Sequence, residues 1–185
     1  MVNTFEGLLG VLAGNQVRFT LVGGLAVSLS GFVRTTEDMD ILVDDDPSNL
    51  QNLLNCLLQF GEGYAAELSP SDFSDEEGAI RVREEFDLDI FVRMRGYKYG
   101  DITDHIRHHE LANGTKIPYL NADGLILLKT GSVRDKDRID VAALTLISRE
   151  ATPQAGKVIS LSLDELRVGS PPQDGESPGT DLESN

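Results

Sequence analysis

The stretch LVGGLAVSLSGFVRTTEDMDILV runs from Leu21 to Val43, and its two ends decide the reading of the chain. At its far end, DMDILV reads as a strand. Side chains two residues apart share one face of a strand, so Asp38 and Asp40 stand side by side while Met39, Ile41 and Val43 face a core. Two adjacent carboxylates repel each other, and the arrangement becomes favourable when a divalent cation sits between them. Hard oxygen donors suit Mg²⁺ or Mn²⁺ rather than zinc. At its near end, Gly23-Gly24 lies between an expected strand over Val17–Val22 and an expected short helix over Leu25–Leu29. Glycines at such a junction expose backbone N–H groups without Cβ obstruction, which suits close approach of a phosphate. The same pair also serves a tight turn that needs positive φ.

Working outward, Ala79–Met94 (AIRVREEFDLDIFVRM) alternates apolar and polar residues and predicts one long strand or two short ones. Phe86, Leu88, Ile90 and Val92 share one face, and Asp87, Asp89 and Phe91 the other. If this strand lies beside Asp38–Val43, Asp87 or Asp89 supplies a third carboxylate. Helices are expected on the amino-terminal side from Phe5, Leu8, Leu9 and Leu12, with Asn3 and Glu6 as a capping box, and over the Leu-rich segment from Ser48 to Gly61, with Ser48 as its cap. Glu62–Gly78 reads as a loop. After Gly100 the spacing of Ile102, Ile106 and His109 predicts another helix, followed by an extended piece over Lys116–Leu120, a helix capped by Asn121, and a last helix over Asp135–Ser148.

The chain has 185 residues, 16 Lys and Arg against 31 Asp and Glu, and a formal charge of −15. At 40% apolar residues, one ordinary core is expected, spanning residues 1–168 as a single domain. The segment from Gly169 to Asn185 is rich in Pro, Gly, Ser and acids and is expected to be disordered. It holds four of the acids and no base, so the body still carries −11. Such a charge disfavours general coating of nucleic acid. One cysteine, Cys56, makes neither an internal disulfide nor a Cys-rich metal cage and reads as a buried thiol. No apolar run reaches the length of a spanning helix and no export signal is evident, so a cytoplasmic protein is expected.

The combined pattern, an apolar residue with Gly23-Gly24, a short helix and then Asp38-Met39-Asp40 before an apolar strand, resembles the signature of the polymerase-β-type nucleotidyltransferase superfamily. More narrowly, Arg34-Thr35-Thr36-Glu37-Asp38-Met39-Asp40 is similar to the R-x-T-x-D-x-D of small AbiEii-like nucleotidyltransferases related to abortive-infection toxins. Leu88-Asp89-Ile90 matches the apolar-Asp-apolar triplet of the family's third strand, and Asp123–Lys129 and Arg134–Val141 match its later helices. The resemblance implies an α/β (α+β) fold with a mixed sheet flanked by helices, and nucleotidyl transfer from an NTP held through Mg²⁺ or Mn²⁺. A hydroxyl or phosphate would accept the group, and an RNA end or a protein could carry it. A toxin–antitoxin or phage-defence setting and a protein partner belong to the same expectation.

Carried over by residue, the resemblance makes Asp38, Asp40 and Asp89 the metal ligands and catalytic carboxylates, with Gly23, Gly24, Arg34 and Lys129 toward the nucleotide. Asp89 is preferred over Asp87 by the triplet. Gly24 departs from the serine of many active transferases, which removes a hydroxyl from the phosphate side. That departure, with the small size and acidic surface, supports the alternative of a catalytically inactive, antitoxin-like regulatory protein of the same fold. A third reading makes the acidic pairs solvent decoration on a plain α/β domain. Arg34 pairs equally well with Glu37 or Asp38, and Lys129 is equally well explained as a helix-end charge. Arg81, Arg83, Arg93, Arg95 and Lys98 would meet an NTP or RNA end or balance nearby acids; Asp135, Asp137 and Asp140 read as surface partners of Arg134, Lys136 and Arg138. His105, His108 and His109 read as a solvated helix face rather than a metal site, and Asp44–Asp46 as a solvated loop.

Overall fold

The computed structural model describes residues 4–60, 63–83 and 85–150, together with 163 and 166. Its centre is a six-stranded mixed sheet in the order β3-β4-β2-β1-β6-β5. The strands are β1 (Phe19–Leu21), β2 (Asp38–Val43), β3 (Ile80–Arg83), β4 (Asp87–Phe91), β5 (Ile106–Glu110) and β6 (Lys116–Leu120). β2 is antiparallel to β1 and parallel to β4, which pairs antiparallel with the edge strand β3. β1 runs parallel to β6, and β6 closes an antiparallel hairpin with β5.

Among the described residues, five helices flank this sheet: α1 (Phe5–Gly14), α2 (Gly23–Leu29), α3 (Pro47–Leu57), α4 (Ala122–Lys129) and α5 (Asp135–Glu150). The apolar stripe of α1 is buried as its spacing requires, and Phe5 meets Phe86 edge-on at 4.6 Å. Its cap is Thr4, whose hydroxyl accepts from the Gly7 N–H; the expected cap Asn3 lies outside the described residues. α3 likewise starts one turn signal earlier than Ser48. Asp46 accepts from Ser48 N–H and Asn49 N–H, and Pro47 fills the first helical position, where a missing N–H costs nothing. Asp46 is therefore a working cap within the acidic run. Asn121 caps α4 as expected, accepting from Gly124 N–H at 3.0 Å.

The alternating segment forms two strands, and among the described residues 63–78 of the expected loop there are short 3₁₀ turns at Tyr64–Glu67 and Pro70–Asp72. One expected helix is absent. Tyr99–His105 is a 3₁₀ helix, but Ile106–Glu110 is β5, paired residue by residue with β6. A hairpin with β6 captures those residues; three apolar positions are too few to separate a helical period from a strand's. The shared helix face of the histidines goes with it, because His108 and His109 then point to opposite faces of the sheet.

Met39, Ile41, Leu42 and Val43 are fully buried, so β2 is the spine of the core. The carboxy-terminal side of the chain returns to it: Leu163 and Leu166 are buried, and the Leu166 carbonyl accepts from Thr36 N–H at 2.8 Å. The acidic tail expected from 169 onward lies outside the described residues. Among the described residues, no helix is long and apolar enough to cross a membrane.

Candidate active site

The parallel pairing of β2 with β4 sets Asp38 opposite Asp87 and Asp40 opposite Asp89. From this register one ligand oxygen of each of Asp38, Asp40 and Asp89 falls within 4.8 Å of the others. Asp87 is not in the group: it is half-exposed and pairs with Arg81 and Arg83. Among the described residues, the three aspartates are the group of possible ligands that converges in this way, and the histidines do not join one.

Each carboxylate meets different surroundings. Asp38 accepts from the buried Thr36 hydroxyl at 2.7 Å. Asp89 accepts from both arms of Arg81, Nε at 2.7 Å and Nη2 at 2.6 Å, which holds the guanidinium more firmly protonated. The Asp40 carboxylate receives no hydrogen bond from the described residues, although the Asp40 backbone carbonyl accepts from Val22 N–H. Burial, reinforced by the charges of Asp38 and Asp89, pushes its pKa up to about 6 despite the opposing pull of Lys129 and Lys136. An acid made this uncomfortable by its neighbours favours a cation, and a set of oxygen donors alone suits a hard divalent ion.

The glycine pair is bound to this geometry. Gly23 sits at φ +59, and a Cβ there would stand 1.8 Å from Asp40 Oδ2. Only a residue without a side chain lets the Asp40 carboxylate lie against the backbone. A Cβ on Gly24 would stand 2.6 Å from Thr36 Oγ1. The hydroxyl missing at Gly24 thus has no room, because the Thr36 hydroxyl already occupies the neighbouring space.

A cavity of about 410 Å³ opens in front of Gly23, Gly24, Asp38 and Asp40. Its walls mix apolar side chains, among them Met94, Leu125 and Leu128, with the cations Arg34, Arg95, Lys129, Arg134 and Lys136. Two of these cations have partners that the sequence does not reveal. Arg34 donates to both oxygens of Asp140, at 3.1 and 3.2 Å, rather than pairing with Glu37 or Asp38. Lys129 lies 2.7 Å from Asp137 and 3.0 Å from Asp140. Asp140 is therefore no surface residue of α5, as its sequence neighbours suggest, but the buried hub of an ionic cluster. Lys136 has no hydrogen bond or ion pair among the described residues and faces the cavity. The central basic residues mostly balance acids, as Arg93 does with Asp75 and Lys98 with Asp45 and Asp75.

Sequence reasoning placed Arg81 only among bases that could balance nearby acids and Thr36 only within the motif, and it read Lys136 and Asp140 as helix-surface partners, so it gave none of the four a place at the site. The parity of Arg81 and Arg83 against Asp89 and Asp87 is the one signal that points to a cross-strand pairing. A larger groove of about 1010 Å³ runs along β3; Arg81 borders it, and none of the three aspartates does.

No protein-family model matches the sequence, and no curated protein matches it. Among solved structures, the chain is similar to the lincosamide antibiotic adenylyltransferase LnuA, determined with lincomycin bound. That match has a TM-score of 0.52 and 19% identity and covers 79% of this chain and 99% of LnuA. A candidate nucleotidyltransferase from Thermotoga maritima matches with a TM-score of 0.46 and 16% identity, covering 78% of this chain and 84% of its own. At such identities the likeness concerns the path of the backbone: a mixed sheet flanked by helices, with the fold of a nucleotidyltransferase.

Proposed function

We propose that this protein transfers a nucleotidyl group from an NTP to a hydroxyl acceptor, with Mg²⁺ or Mn²⁺ at the three carboxylates. The observation that carries the reading is the convergence of Asp38, Asp40 and Asp89 beside a glycine that only Asp40 needs. Asp38 and Asp40 would hold the cation, with Asp89 as third ligand and orienter of the acceptor oxygen. The cation, when bound, supplies Lewis-acid polarisation of the α-phosphate and offsets charge on the leaving pyrophosphate. Gly23 and Gly24 leave the floor open to phosphate oxygens. Lys136 and Arg134 supply positive charge at the wall, while Arg34 and Lys129 hold their place through Asp140. The acceptor oxygen bonds to the α-phosphorus as the bond to pyrophosphate breaks, and the acceptor proton passes to a carboxylate of the cluster.

The fold likeness to a lincosamide adenylyltransferase and the charge of −15 both support a small hydroxyl-bearing acceptor over an RNA end. The R-x-T-x-D-x-D resemblance through Arg34, Thr36, Asp38 and Asp40 is what supports a toxin–antitoxin or phage-defence setting. The test is transfer from α-labelled NTPs, with Mg²⁺ or Mn²⁺, to a panel of small hydroxyl compounds, RNAs and proteins. Label should move in the native protein and stay in the NTP for Asp38→Ala and Asp40→Ala. No transfer to any acceptor would sink the enzymatic reading. The Arg81 fork on Asp89 favours a second one, nucleotide binding without turnover, which predicts NTP binding by the native chain with no label transferred.

A further inference from the structure

Of the three converging carboxylates, Asp89 already has a cation supplied by the chain. β3 is the edge strand, and its antiparallel register with β4 sets Arg81 opposite Asp89 and Arg83 opposite Asp87. The guanidinium closes on Asp89 fork to fork, with Nε on Oδ1 at 2.7 Å and Nη2 on Oδ2 at 2.6 Å, and its remaining arm reaches Asp87 Oδ2 at 3.0 Å. Asp89 is 7% exposed, so this pair is shielded on the carboxylate's side. Asp40 presents the opposite case, a desolvated carboxylate with no hydrogen-bond donor among the described residues.

We infer that Arg81 is a resident counter-ion of the carboxylate cluster, so that a divalent ion is held through Asp38 and Asp40 and gains Asp89 only against the charge of the guanidinium. The inference rests on the reading of the cluster as a cation site. Its physical basis is a contest between like charges. Each Asp89 oxygen has given one lone pair to Arg81 and keeps another, so a cation is not barred from it by geometry. A divalent ion touching that oxygen would nevertheless stand within a few ångströms of a fixed positive charge, and their repulsion is strong in a partly desolvated cleft. Lysine would keep the charge there but not the bidentate grip, which separates repulsion from geometry. Arg81 is thus a positioning residue: it fixes the Asp89 rotamer and moderates how tightly the empty enzyme holds metal.

The test is Mn²⁺ binding to the full chain without nucleotide, followed by the electron paramagnetic resonance of free Mn²⁺. Binding should be tighter on the order of tenfold in Arg81→Gln than in the native protein. Arg81→Lys should stay near the native affinity. Asp89→Asn should lower the native affinity less than Asp40→Asn does, and should erase the gain when combined with Arg81→Gln. Circular dichroism confirms that each variant is folded. If Arg81→Gln does not fold, Asp89→Asn and Asp40→Asn in the native background still decide the matter: equal losses of Mn²⁺ affinity overturn the counter-ion role. Native binding with an unchanged or weakened affinity in a folded Arg81→Gln overturns that role and leaves the metal site standing. Binding by neither protein at millimolar Mn²⁺ overturns the metal reading itself.

Discussion

Replacing Asp40 with Asn should stabilise the metal-free protein while abolishing the metal binding proposed for the cluster. In the folded state the Asp40 carboxyl has a pKa of about 6 against an ordinary 3.8, because burial and the charges of Asp38 and Asp89 disfavour its anion. Each pH unit of that gap is worth about 1.4 kcal/mol, so ionised Asp40 opposes folding by about 3 kcal/mol at most. The sign follows from the protons bound. Between pH 3.8 and about 6 the folded state keeps a proton that the unfolded chain has released, so stability falls as pH rises through that window. Below it the two proteins should be alike; above it the gap is constant. For a domain of this size, 3 kcal/mol corresponds to roughly 6–12 °C in melting temperature. Thermal melts of the native protein and Asp40→Asn in EDTA at pH 4, 6 and 8 measure the gap, and titrating groups remote from the carboxylate cluster cancel in the difference. Adding Mg²⁺ at pH 8 should raise the native melting temperature and leave the variant unmoved, as ligand linkage requires. Parallel melting curves across pH, or a variant less stable than the native protein at pH 8 in EDTA, would refute the reasoning.

Gly23→Ala places a Cβ 1.8 Å from Asp40 Oδ2 at φ +59. The left-handed backbone alone should cost about 1–2 kcal/mol in urea unfolding, and displacement of the carboxylate should remove Mn²⁺ binding from a folded protein. Gly24→Ser should lose about 1–3 kcal/mol by crowding Thr36, and Thr36→Ala in the same chain should restore part of it, since the Oγ1 contact at 2.6 Å is relieved. Asp140→Asn leaves Arg34 and Lys129 short of their shared charge and should cost about 3–5 kcal/mol. Asp135→Asn, at the exposed start of the same helix, should stay within about 0.5 kcal/mol; comparable losses in the two variants would remove Asp140 from the centre of the cluster.

What the sequence made legible was local. The two-residue period places Asp38 and Asp40 together without reference to anything outside β2, and the Asn121 cap is written in the residues just after it. Asp46 was hidden behind Ser48, because both are good caps and only the helical start at Pro47 decides between them. Asp87 and Asp89 share a face, so no period separates them, and the register sets each opposite one aspartate of β2; the side chains do separate them, since Asp89 converges with Asp38 and Asp40 while Asp87 turns to Arg81 and Arg83. The pairing of Arg34 with Asp140 crosses 106 residues and belongs to the docking of α5, which no pattern within either segment encodes. Ile106–Glu110 became a strand for the same reason, since its partner β6 supplies the decisive hydrogen bonds.

The distribution of charge around the cavity separates positioning from chemistry. A net −15 gives no hint of a cationic wall, yet five basic residues line the opening in front of Asp38 and Asp40. Arg34 and Lys129 converge on Asp140, and Lys129 also on Asp137, so moving either to a phosphate would strip a buried carboxylate of its partner. Their energy is committed to holding α4 and α5 against the segment that carries Arg34. Lys136 has no such commitment among the described residues, and its charge is felt at Asp40. The same logic applies within the carboxylates, where Asp89 is matched by Arg81 and Asp40 by nothing. Charges without an ion-pair partner among the described residues, Lys136 and Arg134 on one side and Asp40 on the other, therefore face one cavity, while Arg34, Lys129 and Asp140 form its frame. A ligand joining a divalent cation to an anionic chain would satisfy both at once, and a triphosphate with its bound metal has that form.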